Sequence, residues 1–311
     1  MPKTFLVTTE SDPVGNAVDA FLGDSDGYFR ISPDETASIA LSSGDSLLVG
    51  ELEIEPEFVV SDDVLIQFLS CNPSFSLRER LASSGAIIAG ISPVIASRVA
   101  NRVVGFGGPL RVKPDAQWGI VGFGEIGAEV AKKLNPTEAS VITTDVRTPR
   151  SGLLAEFNVR RFTLDLLFAG SDAVSLHVPV GPTASPLISE RELNLMKDGA
   201  VLINTSDSSI VDEEAVLASL VDGPLGGYAT DRPGEAILGA DDTLASSGKL
   251  FATTNPLTNQ IGAAQQIAKY IALNIEAFQG GSSIQGSIDS VDFPKIGDPS
   301  FWSSRMSPRQ D

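Results

Sequence analysis

The chain has 311 residues, 42% of them apolar, and carries 22 basic against 40 acidic side chains for a net charge of −18. That length suits two medium domains, each with its own core, and the charge excludes nucleic acid and anionic membranes as direct partners. One cysteine, Cys71, and one histidine, His177, exclude an internal disulfide, a cysteine metal cluster and a multi-histidine metal site.

The opening "MPKTFLVTTESDP" holds an apolar run of three residues before polar ones, so it reads as neither a secretory core nor a membrane span, and the protein as cytoplasmic. Short apolar runs at Phe5–Thr8, Ser46–Val49, Val64–Leu69 and Ala86–Ala89, separated by polar, Gly- and Pro-containing segments, predict the strands of a first α/β lobe. Ser92–Val104 reads as a helix. From Trp118 the chain alternates strand and helix: "WGIV", a glycine turn, "AEVAKKL", "SVITT", then strands at Asp172–Leu176, Val201–Asn204 and Gly226–Thr230. Such alternation predicts a parallel, doubly wound sheet. Ile261–Phe278 reads as an amphipathic helix, followed by an extended tail. The expected division is a substrate or cap lobe over 1–100, a nucleotide-binding lobe over 101–255, and a C-terminal helix and tail over 256–311 that return to the first lobe.

In "GIVGFGEIGAEVAKKL", Gly122, Gly124 and Gly127 form a G-x-G-x-x-G that follows a strand and opens a helix. The first glycine allows the tight turn, the second lets a pyrophosphate approach the backbone, and the third lets helix and strand pack closely, with phosphate at the helix N-terminus. Asp145 ends the next strand, 23 residues after Gly122, where a carboxylate receives the ribose hydroxyls of the adenosine half of a dinucleotide. A carboxylate there repels a 2′-phosphate and favours NAD over NADP, while Arg147 and Arg150 nearby weigh the other way.

The downstream stretches "DAVSLHVPVGPTASPLISERELNLMKDGAVLINT" and "VDEEAVLASLVDGPLGGYATD" resemble the D-isomer-specific 2-hydroxyacid dehydrogenase family, which contains phosphoglycerate, glycerate, formate and phosphite dehydrogenases. The earlier "IQFLSCNPSFSLRERLASSGAIIAGISPVIASRVANRVV" is similar to that family's substrate-lobe loop and crossing helix. The resemblance covers roughly residues 45 to 280. It implies two Rossmann-like lobes, a flavodoxin-like substrate lobe and a doubly wound NAD-binding lobe, with a cleft between them. It also implies cofactor contacts at Glu125 and Ile126 beside the three glycines, at Asp145, at His177 and Pro179 beside the adenosine half, at Thr205 and at Asp231.

The same resemblance implies an arginine that grips the substrate carboxylate and a histidine, paired with a glutamate, that exchanges the hydroxyl proton while NAD takes the hydride. Here the departures begin. Asp207, in "NTSDS", stands at the arginine position; Pro256, in "TNPLTNQIG", stands at the histidine position; and Glu235 lies four residues beyond Asp231 where the family glutamate lies five beyond. Cys71, Asn72 and Pro73 replace the Gly-x-Asp of the substrate loop, and the proline removes a backbone N–H. Exchanging a guanidinium for a carboxylate turns attraction for an anionic substrate into repulsion, each worth about 4 kcal/mol at about 4 Å and an effective dielectric near 20.

The candidate catalytic residues are therefore Asp207, as a general base or an anchor for a hydrogen-bond donor, then Glu235 and Asn255, the last within a polar group of Thr254, Asn255, Thr258, Asn259 and Gln260 that could equally cap the following helix. His177 reads as structural, and Cys71 as a small buried apolar residue more readily than a nucleophile. Fewer than twenty residues separate the crossing helix from the strand at Trp118, so the usual dimerisation arm is short and a homodimer would need another contact, such as Phe301 and Trp302 in the tail. Two functions fit: an NAD-dependent oxidoreductase repurposed for a small-molecule substrate without the usual carboxylate anchor, or a redox-inactive NAD(H)-binding sensor or scaffold.

Overall fold

The computed structural model describes residues 1–50, 61–71, 81, 84–146, 151–179, 186–254 and 262–288. They belong to two compact units, one beginning with Met1–Ile95 and one beginning at Ala96.

The first unit is built on a parallel sheet of five strands in the order β2-β1-β3-β4-β5, comprising β1 (Thr4–Val7), β2 (Tyr28–Ile31), β3 (Ser46–Val49), β4 (Leu65–Phe68) and β5 (Ile87–Ala89). The three predicted runs that became β3, β4 and β5 are buried almost throughout, which is why continuous apolar segments mark them. The edge strand β2 was not anticipated: "YFRI" leaves Phe29 and Arg30 exposed and so lacks the apolar continuity of its neighbours. Helix α1 (Pro13–Leu22) starts where Asp12 caps it, one carboxylate oxygen accepting the Val14 N–H at 2.9 Å and the other the Thr8 hydroxyl at 2.5 Å. Pro at the first helical position needs no amide partner.

Helix α2 (Ser92–Gly107) carries the chain from one unit into the other, the division falling between Ile95 and Ala96. The second unit is a seven-stranded parallel sheet in the order β12-β11-β10-β9-β6-β7-β8. Its strands are β6 (Gln117–Val121), β7 (Ser140–Thr144), β8 (Arg160–Arg161), β9 (Ala173–Leu176), β10 (Val201–Asn204), β11 (Gly227–Thr230) and β12 (Leu250–Ala252). The order runs outward in both directions from β6 and β9, so this is the doubly wound sheet expected, with its topological switch between those two strands. The helices of this unit are α3 (Glu125–Leu134), α4 (Ser151–Glu156), α5 (Leu164–Gly170), α6 (Glu190–Leu193), α7 (Glu213–Asp222), α8 (Glu235–Leu238) and α9 (Asp242–Ser246). One core joins Val174, Leu176, Leu202 and Tyr228 of the sheet to Leu167 and Phe168 of α5 and Val216 and Leu220 of α7.

The last helix, α10 (Ala263–Gln279), returns to the first unit and packs along α1. Within that unit its buried Asn274 donates to the Oε1 of Gln67, inside β4, at 2.8 Å. The segment that follows is not simply extended: Ile288 N–H donates to Ile88 O at 2.7 Å, Gly90 N–H donates to Gly286 O at 2.9 Å, and Ser287 pairs antiparallel with Ala89 at the open edge of β5.

Candidate functional site

The glycine turn between β6 and α3 is held by steric necessity at two of its three glycines. Gly122 sits at φ +91°, and a methyl group there would overlap the His177 carbonyl oxygen. A methyl at Gly127 would overlap the Gly122 carbonyl oxygen, so helix and turn pack without room for a side chain. Gly124 differs. It stands exposed at the N-cap of α3, and an added methyl would meet nothing within 4 Å. The fold therefore leaves space above the one glycine that faces outward, at a helix start with no side chain capping its N–H groups. The first turn of a helix has no intrahelical acceptors for its N–H groups, and with the positive end of a ten-residue helix dipole it suits a phosphate. Glu125, exposed, and Ile126, half-buried, occupy the first turn beside this opening.

Asp145 follows β7 and closes the turn from the other side, its Oδ2 accepting the Phe123 N–H at 2.6 Å. Arg161, from β8, donates to the Asp145 carbonyl oxygen at 2.6 Å, a cation that the sequence reading did not associate with this position. Arg147 and Arg150 lie outside the described residues.

At the end of β9, the His177 N–H donates to Val121 O at 2.7 Å, extending the β6–β9 pairing by one residue into the turn. The residue is half-buried with its ring enclosed: Nε2 lies 3.0 Å from Ser175 Oγ, and burial lowers the imidazole pKa to about 3. The neutral ring and the Gly122 contact make His177 part of the wall of the turn. Pro179, half-buried, lies just beyond.

The ends of β10 and β11 carry the other half of the site. Asn204 holds the loop after β10 by accepting the Ser206 N–H at 2.9 Å and donating to Asp207 O at 3.0 Å, while Ser206 Oγ donates to Leu176 O on the neighbouring strand. Asp207 caps a single turn over Ser208–Ile210, with Oδ1 accepting the Ser209 N–H at 3.0 Å and its hydroxyl at 2.6 Å. Thr205, between them, turns its hydroxyl into the protein without a partner.

Asp231 follows β11 and is buried to 4% exposure. Its Oδ2 accepts from the Arg102 guanidinium of α2 at 2.7 Å, and its Oδ1 is buried without a partner. Burial raises the Asp231 carboxyl above its ordinary pKa, against the opposing pull of Arg102 and of the neighbouring Arg232. Two buried hydrogen-bonding atoms, Thr205 Oγ1 and Asp231 Oδ1, thus stand unsatisfied at the carboxyl ends of adjacent strands, where ligands of open α/β sheets bind.

Glu235 is exposed in the first turn of α8. The carboxylate that serves this helix is Glu213: from the first turn of α7 it accepts the Gly234 N–H at 2.7 Å and the Ile237 N–H at 3.3 Å. In the sequence Glu213 reads only as an acidic residue at its own helix start, and nothing in its spacing points to α8. Arg102 was also missed, although an arginine between Ala100 and Val103, both fully buried, is the kind of residue whose charge needs a partner. Asn255 and Pro256 lie outside the described residues, as do Asn72, Pro73, Thr258, Asn259 and Gln260, whereas Thr254 is described and exposed. Cys71 is half-buried, with the Ser92 hydroxyl 3.5 Å from its sulfur.

Residues 109–254, most of the second unit, match the model of the D-isomer specific 2-hydroxyacid dehydrogenase NAD binding domain. This unit is therefore similar to the NAD binding domain of the D-isomer specific 2-hydroxyacid dehydrogenases. A glycerate dehydrogenase of Methylorubrum extorquens is 32% identical over 168 residues, 52% of this chain and 50% of that protein. An (S)-sulfolactate dehydrogenase of Chromohalobacter salexigens is 38% identical over 138 residues, 44% of this chain and 45% of that protein. The chain spans about half the length of these curated relatives. An NADPH-dependent glyoxylate/hydroxypyruvate reductase from Sinorhizobium meliloti, solved with NADP and malonate, superposes with a TM-score of 0.70. It covers 94% of this chain and 98% of that one at 16% identity, a likeness of fold.

NAD is the cofactor of the family's domain, and the second unit fits it at both ends: open space over Gly124 at one, two unsatisfied buried polar atoms at the other. Among the described residues no helix is long and apolar enough to cross a membrane, and no cluster of acidic, histidine or cysteine side chains could hold a metal ion.

Proposed function

We propose that this protein is an NAD-dependent oxidoreductase whose small-molecule substrate is held without the family's arginine–carboxylate grip. What supports the reading is the contrast within one unit between a complete dinucleotide turn and the end of β10, where the proposal puts Asp207 at the family's arginine position. In the proposal the α3 N-terminus with Gly122, Gly124, Glu125, Ile126 and Gly127 receives the pyrophosphate, and Asp145 the adenosine ribose. His177 and Pro179 line the adenosine half, and Thr205 and Asp231 receive the nicotinamide carboxamide. When bound, NAD accepts or donates a hydride. The work of the chain is then to orient the reacting carbon and to exchange one proton, with Asp207 as the first candidate for that exchange and Glu235 and Asn255 as the others.

A carboxylate at position 207 favours an uncharged or donor-bearing substrate, such as an alcohol, aldehyde, amine or imine, over a 2-keto acid. The test is cofactor oxidation by the purified protein across paired panels of non-acidic carbonyls or imines and 2-keto acids, with NADH and NADPH. Turnover confined to the non-acidic panel with NADH, and lost in Asp207→Ala with NADH binding intact, is the expected result. Preference for the 2-keto acids would overturn it.

One observation favours a second reading. The Asp207 carboxylate is already engaged by the Ser209 N–H and hydroxyl as a local cap, which suits a residue left with a structural duty in a redox-inactive NAD(H)-binding sensor or scaffold. NADH binding without turnover of either panel, and unchanged in Asp207→Ala, would select it.

A further inference from the structure

Asp231 raises a question that the dinucleotide turn does not. A carboxyl group at this burial can exist as an acceptor-only carboxylate or as a protonated acid that donates, and the two present opposite faces to a ligand. The groups around it bear on that choice. Arg102 reaches from α2 across 129 positions of sequence to bond Oδ2 at 2.7 Å, with only 13% of its side chain and 5% of that of Asp231 exposed. One oxygen is thereby fixed on the guanidinium, and the other, Oδ1, is left buried with no partner.

We infer that Arg102 is a positioning residue for cofactor binding: by pairing with Oδ2 it keeps Asp231 ionised and leaves Oδ1 as a single, fixed acceptor for a hydrogen-bond-donating amide of the ligand. This rests on the reading of Asp231 as a cofactor contact. Among the described residues, the charged or titratable groups acting on Asp231 or acted on by it are Arg102 from α2, Arg232 from the loop after β11, and the buried Tyr228 of β11. Burial drives the carboxyl towards its neutral form, and Arg102 provides the largest opposing effect. Without it, burial is opposed chiefly by Arg232, protonation moves towards neutral pH, and the carboxyl competes with the ligand's N–H instead of accepting it.

The experiment is calorimetric titration of the full chain with NADH from about pH 6 to about pH 9, a span over which ordinary aspartate stays ionised, using wild type, Arg102→Gln, Arg102→Lys and Asp231→Asn. Wild type and Arg102→Lys should show the same profile. Arg102→Gln should bind about tenfold or more weakly near neutrality, the size of a lost hydrogen bond to a charged group, and recover as pH rises. Asp231→Asn should bind weakly at every pH. An Arg102→Gln profile that matches wild type in affinity and slope overturns the inference while leaving the cofactor reading intact. Wild-type protein that fails to bind NADH, or Asp231→Asn that binds as wild type, breaks the underlying reading instead. If Arg102→Gln does not fold, a carbon-detected titration of the Asp231 carboxyl in wild type decides: a carboxyl ionised at neutral pH before NADH is added is expected, and one protonated there overturns the inference.

Discussion

The ends of β6 and β7 and the ends of β10 and β11 lie on one sheet and follow different rules. At the first pair the constraints fall on the backbone: Gly122 is required because the His177 carbonyl oxygen at the end of β9 occupies the place of its side chain, and Asp145 bonds the backbone of the turn it faces. At the second pair the two carboxylates part company. Asp207 bonds Ser209, two residues away, through one oxygen, whereas Asp231 answers to a cation 129 positions earlier. A residue type alone therefore does not set a role here. What sets it is whether the partner comes from the same turn or from another element.

That contrast is broken most severely by removing the distant partner. Arg102→Leu leaves Asp231 buried without its hydrogen-bonded partner, so chemical denaturation should show a loss of about 3–5 kcal/mol; a loss under about 1 kcal/mol would mean that the pair is worth no more than an exposed one. Next in size is Gly122→Ala, which forces a side chain into a positive-φ position against the His177 carbonyl and should cost about 2–4 kcal/mol. Gly124→Ala is its control. With open space around it, thermal unfolding should stay within about 0.5 kcal/mol of wild type, while NADH binding weakens because the methyl stands where phosphate would approach. If both alanines behaved alike, the distinction between a glycine needed by the fold and one needed by a ligand would fail.

His177 sharpens the comparison through pH. Its folded-state pKa is lowered to about 3 by burial, so the unfolded chain takes up a proton below about 6.5 and the native state does not. Its contribution is intact above that value and is lost as pH falls from about 6.5 towards 3, at about 1 kcal/mol per pH unit. His177→Gln should flatten that part of the stability profile, and an unchanged slope would assign the acid sensitivity to other groups. The smallest effect belongs to Asp207→Ala, where loss of one local cap should cost about 1 kcal/mol or less, measured by the same denaturation.

The legibility of the sequence follows the same divide. The parallel sheet of the second unit could be read because its strands are short apolar runs between helices, and the glycine turn because its three residues lie within one stretch of chain. Edge elements were not readable: β2 exposes half its residues, and β8 is only two residues long. The roles of Arg102 and Glu213 were invisible for a different reason. Both side chains leave their own helix, one to meet Asp231 and the other to cap α8, and no periodicity records where a side chain goes once the chain has turned back. The bond from Asp207 to Ser209 was not legible either, because the same letters would also suit an open loop.

The first unit is assembled from both sides of the second, taking Met1–Ile95 before it and the long helix Ala263–Gln279 after it. During synthesis the early strands emerge long before the helix that covers α1 and supplies Asn274 to the buried Gln67. Among the described residues the second unit is one stretch, so its core has all of its strands while the first unit still waits for its last piece, the reverse of the usual order in which the N-terminal domain folds first. For that interval the ribosome holds a finished nucleotide-binding domain beside an unfinished sheet whose edge strand β5 has not yet received Gly286 and Ile288. An open edge of that kind is where a nascent chain is most exposed to pairing with its neighbours.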